Sequence, residues 1–161
     1  MFMRNVLFIT QNGTNAPLEL LAQAFKEKTI SSTFVVDGKI DDRVLNEDLV
    51  KHLTETNLVI VSIPEPSKVT EVELATLRLV AMMRLPFALY FTSDQSWLNG
   101  TPGYALAGLT LQALAVIGTE PSTRLALRFI TPVAKILIDY PLNHSQAPVI
   151  AWVLIMAVEG K

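Results

Sequence analysis

Three polar segments of this chain carry residue types able to hold a ligand. The first is Thr10-Gln11-Asn12-Gly13-Thr14-Asn15, which follows an apolar run and precedes a helical one. Glycine, hydroxyl and amide side chains opening onto a helix N-terminus suit a phosphate, because free backbone N–H groups and the positive helix end converge there. The segment contains neither GK[ST] nor GxGxxG, and ordinary turn and capping chemistry accounts for the same residues. The second is Pro64-Glu65-Pro66-Ser67-Lys68, where two prolines stiffen a loop around one carboxylate. Such a loop can wall an aromatic ring or simply connect two elements. The third, Ser93–Gly103, sets Ser93 and Trp97 beside Asn99-Gly100. An indole there can stack on a planar ligand or cover the end of a sheet.

Other chemistries lack their residues. There is no cysteine, so thiol nucleophiles, Cys-ligated clusters and disulfides are absent. The two histidines, His52 and His144, are far apart in sequence, and no serine sits in a G-x-S-x-G context. His52 lies between Lys51 and Glu55 on a helical stretch, the pattern of a solvated face. A mechanism in which a cofactor does the chemistry suits this inventory better than hydrolysis.

Those loops need elements to hold them. With 161 residues, the chain is long enough for one domain with a real core. Its net charge of −2 offers no basic field for nucleic acid or an anionic membrane. The strands expected are Asn5–Thr10, Ser32–Val36, Asn57–Ile63, Phe87–Thr92 and Arg124–Ile130, with Val133–Ile138 as a short extension. The helices expected are Ala16–Lys28, Leu45–Glu55, one from Thr70 to Met83 opened by a capping-box pattern, Tyr104–Ile117 stopped by Gly118, and Ala147–Val158. Strands alternating with helices predict a single α/β domain on a parallel sheet, with ligands at the carboxyl ends of the strands. The three polar segments fall at such ends.

Only 17% of the residues are charged, against roughly 25% in an average soluble domain. The deficit is local: residues 1–80 hold 19 charged side chains and residues 81–161 hold 9. Gln95–Thr119 and Tyr140–Val158 carry none, yet their unbroken apolar stretches fall short of the ~20 residues of a membrane span. The expectation is a soluble, cytoplasmic protein. Tyr104–Ile117 and Ala147–Val158, read as helices apolar nearly all round, predict burial against another subunit in a homodimer or homotetramer.

Taken in order, the segments resemble the NAD(P)H-dependent FMN reductases of the flavodoxin-like superfamily. Asn57–Leu79, NLVIVSIPEPSKVTEVELATLRL, is similar to that family's apolar third strand, T-P-E-Y-N-G loop and helix. Pro64-Glu65 matches its Pro-Glu, and Val69 its apolar residue before the helix; Pro66 and Ser67-Lys68 replace its Tyr and Asn-Gly. Leu85–Gly118, LPFALYFTSDQSWLNGTPGYALAGLTLQALAVIG, is similar to its fourth strand, Gly-rich loop and following helix. The resemblance implies a flavodoxin-like three-layer sandwich with a five-stranded parallel sheet. It also implies FMN as cofactor and NAD(P)H as hydride donor to a flavin, quinone or similar small acceptor. Thr10–Asn15 would hold the FMN phosphate. Pro64, Glu65, Pro66 and Ser67 would flank the isoalloxazine, and Ser93, Trp97, Asn99 and Gly100 would close its other side. No catalytic side chain and no metal is implied.

Two other classes compete. The T-E-V-E helix start, Thr70–Glu73, followed by PFALYFTSD also resembles the nucleoside 2-deoxyribosyltransferases, which implies Glu71 or Glu73 as nucleophile, although capping already accounts for Glu73. Alternatively, a flavodoxin-like shell without a cofactor would serve as a binding or assembly module.

Overall fold

A computed structural model describes residues 2–10, 16–36, 50–63, 71–91, 112–118, 136–138 and 140–160. Six parallel strands form one sheet: β1 (Asn5–Thr10), β2 (Ser31–Val36), β3 (Leu58–Ile63), β4 (Phe87–Phe91), β5 (Ala115–Gly118) and β6 (Leu137–Ile138). Their order is β2-β1-β3-β4-β5-β6. Four helices are described: α1 (Ala16–Lys26), α2 (Val50–Thr54), α3 (Glu71–Met82) and α4 (Ala147–Glu159). This is the expected α/β three-layer sandwich on a parallel sheet, with a two-residue sixth strand at its edge.

The period of two along the strands builds both layers. Val6 and Phe8 of β1, Leu58 and Ile60 of β3, and Ala88 and Tyr90 of β4 face one side with α1 and α4. Leu7, Ile9, Val59, Val61, Leu89 and Phe91 face the other, with Leu53 of α2 and Leu74, Leu77 and Val80 of α3. Central strands covered on both faces read as near-continuous apolar runs, and β3 and β4 are buried at every position, β3 being apolar except at Ser62.

One expectation fails for that same reason. Residues 112–117 are not helical: Ala115–Gly118 is β5, paired with Ala88–Phe91, and Gly118 pairs with Phe91 instead of stopping a helix. A strand covered on both faces and a buried helix share an apolar pattern, and the β-branched Val116 and Ile117 were the residues that favoured the strand. The remainder of the expected helix, 104–111, and the strand candidate Arg124–Ile130 lie outside the described residues.

Helix ends are set locally. Thr29 (φ 61°) and Arg84 (φ 57°) take the left-handed conformation just past α1 and α3. The Ile30 and Leu85 N–H groups donate to the Phe25 and Val80 carbonyls, and Thr29 and Arg84 donate to Lys26 and Ala81. Both are Schellman motifs, with the apolar pairs Ile30/Phe25 and Leu85/Val80 beneath them. α4 ends at Gly160 (φ 75°), whose N–H donates to the Met156 carbonyl. It begins behind Asn143, whose Oδ1 accepts the Gln146 N–H at 2.9 Å. No helix among the described residues is long and apolar enough to cross a membrane.

Candidate functional site at the carboxyl edge of the sheet

Register brings the ends of the central strands to one edge. Thr10 closes β1 and pairs with Val36 of β2. Ile9 is level with Val61, and Ile63, the last residue of β3, pairs with Phe91, the last of β4. Phe91 in turn pairs with Gly118. The chain therefore leaves β1, β3, β4 and β5 along one line. The strand order reverses between β1 and β3, because β2 lies on one side of β1 and β3 on the other. A crevice beyond the carboxyl ends at such a switch point is where open parallel sheets bind ligands.

Of the residues that the flavin resemblance implies, only Thr10 is described. It is buried, 3% exposed, at the end of β1. Gln11, Asn12, Gly13, Thr14, Asn15, Pro64, Glu65, Pro66, Ser67, Ser93, Trp97, Asn99 and Gly100 lie outside the described residues. What the structure fixes is where their segments begin: at Thr10, Ile63 and Phe91, on the one edge.

Buried polar side chains gather in the segments flanking that edge. Ser62 and Thr10 sit at strand ends, while Glu73 and Thr76 lie in the first two turns of α3, the helix that follows β3. Glu73 and Thr76 belong to the inward stripe completed by Leu77 and Val80, at the i, i+3, i+4, i+7 spacing of a core-facing helix side. Reading Glu73 as capping chemistry left its burial unforeseen. Ser62 and Thr76 went unread as well. The available signal was a hydroxyl inside the apolar run LVIVSI, and one on the apolar stripe of a helix. Thr56, also buried among the described residues, lies at the opposite, amino edge, where its hydroxyl donates to the His52 carbonyl at 2.7 Å.

That amino edge is tied by hydrogen bonds between asparagine side chains and the backbone. The Asn57 Oδ1 accepts the Arg4 and Asn5 N–H groups at 2.7 and 3.0 Å, and Asn5 Nδ2 donates to the Glu55 carbonyl at 2.9 Å. Cavities bounded by described residues lie away from the carboxyl edge. One groove of about 830 Å³ runs between the amino edge and α4, past Arg4, Lys28, Thr29, Trp152 and Met156. Another, of about 510 Å³, lies between α1 and β2. No group of acidic or histidine side chains suited to a metal ion occurs among the described residues.

No protein-family model matches this chain, and no curated protein does. Among solved structures, it is similar to the sugar isomerase domain of the RpiR transcription factor from Sphaerobacter thermophilus. The identity is 12% and the TM-score 0.44, over 98% of this chain and 71% of that one. Likeness of that degree carries no argument about what this chain does.

Proposed function

We propose that this chain is a flavin-binding oxidoreductase of the NAD(P)H-dependent FMN reductase type. The observation that supports it is the strand order. Open parallel sheets bind ligands beyond such a switch point, and the segments after Thr10 and after Ile63 start on either side of the one between β1 and β3. The donor set there suits a phosphorylated ring system: a buried threonine hydroxyl at the end of β1 and apolar strand ends at Ile63 and Phe91. Thr10 and the polar segment it opens would bind the phosphate. Pro64–Ser67 and Ser93–Gly100 would bound the ring. FMN, when bound, would supply hydride acceptance and donation, so the protein's part is to hold the ring, orient it and limit water. Titrating purified chain with FMN should quench flavin fluorescence, and Thr10→Val should weaken binding about three- to tenfold, the loss of one hydrogen bond. No quenching at high micromolar FMN defeats the reading.

A second reading has one observation in its favour. Glu73 is a carboxylate 5% exposed in the first turn of α3, suited to a nucleophile in 2-deoxyribosyl transfer. Carboxylate attack on the anomeric carbon would release the base and form an ester, which a second base would then displace. That reading expects base exchange from a deoxynucleoside, lost in Glu73→Ala, with FMN leaving the fluorescence baseline unchanged. A chain inactive in both assays leaves the non-catalytic binding module.

A further inference from the structure

The outer face of α4 is apolar and has no counterpart in the other described helices. Its inner stripe, Ala147, Ile150, Ala151 and Leu154, is buried against the sheet and α1. Its outer stripe includes Val149, 44% exposed, and Trp152, 53% exposed, with half-buried Met156 one turn further on. From Ala147 to Val158 the sequence holds no charged residue.

We propose that this face docks antiparallel against the same face of a second copy, across a two-fold axis passing near Trp152 and Val153. The inference is independent of the flavin reading. The first argument is self-complementarity. A two-fold interface requires each contact to occur twice. Val149 and Met156 stand equally far along the helix from the point between Trp152 and Val153, so each Val149 meets the partner's Met156. Two Trp152 rings meet near the axis, as aromatic anchors do at interface centres.

The second argument is charge. The only acidic residue of α4 is Glu159 at its C-terminal end, and its first turn has none. Within the protomer the Glu159 Oε2 accepts the Met3 N–H at 3.1 Å. Antiparallel packing adds the positive N-terminus of the other helix near that carboxylate, whereas parallel packing sets Glu159 beside Glu159. The same pattern disfavours a membrane surface, since interfacial helices carry Lys and Arg along a polar face and α4 has no basic residue in its last turn.

Area supports a modest interface. A 13-residue helix is about 20 Å long and presents roughly 200–250 Å² of face, short of the ~800 Å² per partner of a standard interface. The groove beside Trp152 continues from α4 to Met3, Lys28 and Thr29 and borders this face. The expected dimer is accordingly one that dissociates on dilution.

The chain has no cysteine, which makes single-cysteine variants clean probes. Light scattering on the full chain should give a mass rising with concentration toward twice 17.8 kDa. Trp152→Glu should remain monomeric with an unchanged circular-dichroism spectrum. Under mild oxidation, Val149→Cys mixed with Met156→Cys should cross-link, and neither should do so alone. The proposal is overturned by a wild-type monomer at every concentration, by a dimer that survives Trp152→Glu, or by self-cross-linking of Val149→Cys. It is equally overturned if monomeric wild type sediments with phosphatidylserine vesicles through Trp152. If Trp152→Glu does not fold, the cross-linking pattern decides alone.

Discussion

α3 and α4 cover opposite faces of one sheet and break the amphipathic pattern in opposite directions. α3 turns polar side chains inward, with Glu73 and Thr76 on the stripe that also buries Leu77 and Val80. α4 turns apolar side chains outward, with Val149 and Trp152 in solvent. Burying a carboxylate or hydroxyl costs free energy unless it is bonded, and exposing an indole forgoes burial. Under the proposed function the inward polar residues of α3 flank the small-molecule site, and under the further inference the outward apolar stripe of α4 is the docking face. The two helices therefore direct attention to different kinds of partner.

Substitutions that treat the two helices alike should separate these roles. The largest effect is expected on the inner stripe of α4. Leu154→Ala empties a fully buried position and should lower the unfolding free energy by about 3 kcal/mol in urea titration. Val149→Ala, on the outer stripe, should change protomer stability by less than about 0.5 kcal/mol while weakening self-association. If both variants are equally destabilised, the division of α4 into a core face and a docking face is wrong.

A smaller contrast concerns α3. Glu73→Gln preserves size and hydrogen-bonding capacity, so unfolding free energy should shift by about 1 kcal/mol or less. Base exchange should be abolished if Glu73 is a nucleophile, and FMN affinity should stay within about threefold if the flavin reading holds. The smallest effect is expected at the helix ends. Arg84→Gly relieves a left-handed residue worth about 1–2 kcal/mol but adds unfolded-state entropy. The net gain should be about 0.5 kcal/mol, or roughly 1–2 °C in Tm. Thr29→Gly should behave alike, and a loss of stability in both would mean that the caps are not strained.

Legibility followed the physical uniqueness of each pattern. β1 and β3 were readable from short runs rich in β-branched residues between polar segments, β4 from a short aromatic-rich run, and α1 and α4 from spacing and length. β5 was not, since Ala115–Gly118 ends a long apolar stretch whose pattern fits a buried helix equally well. Of the stretch expected to face another subunit, Ala113, Ala115, Val116 and Ile117 are fully buried within the protomer. The carboxyl-edge position of the three candidate segments was legible, because alternation of strands and helices forces parallel strands to end together. The burial of Ser62, Glu73 and Thr76 was not, because a hydroxyl or carboxylate reads the same whichever way its stripe faces.

The sequence by itself determined a parallel α/β sheet and three polar segments at its carboxyl ends. It also determined that α4 has almost no polar face, since hydrophobic period and turn chemistry are local properties. Only the tertiary structure decided the strand order, and with it the switch point between β1 and β3. It likewise decided which side of α4 meets the sheet and which leaves Trp152 in solvent. Those are outcomes of long-range packing: each apolar face is buried against segments far along the chain, and no local window contains both partners.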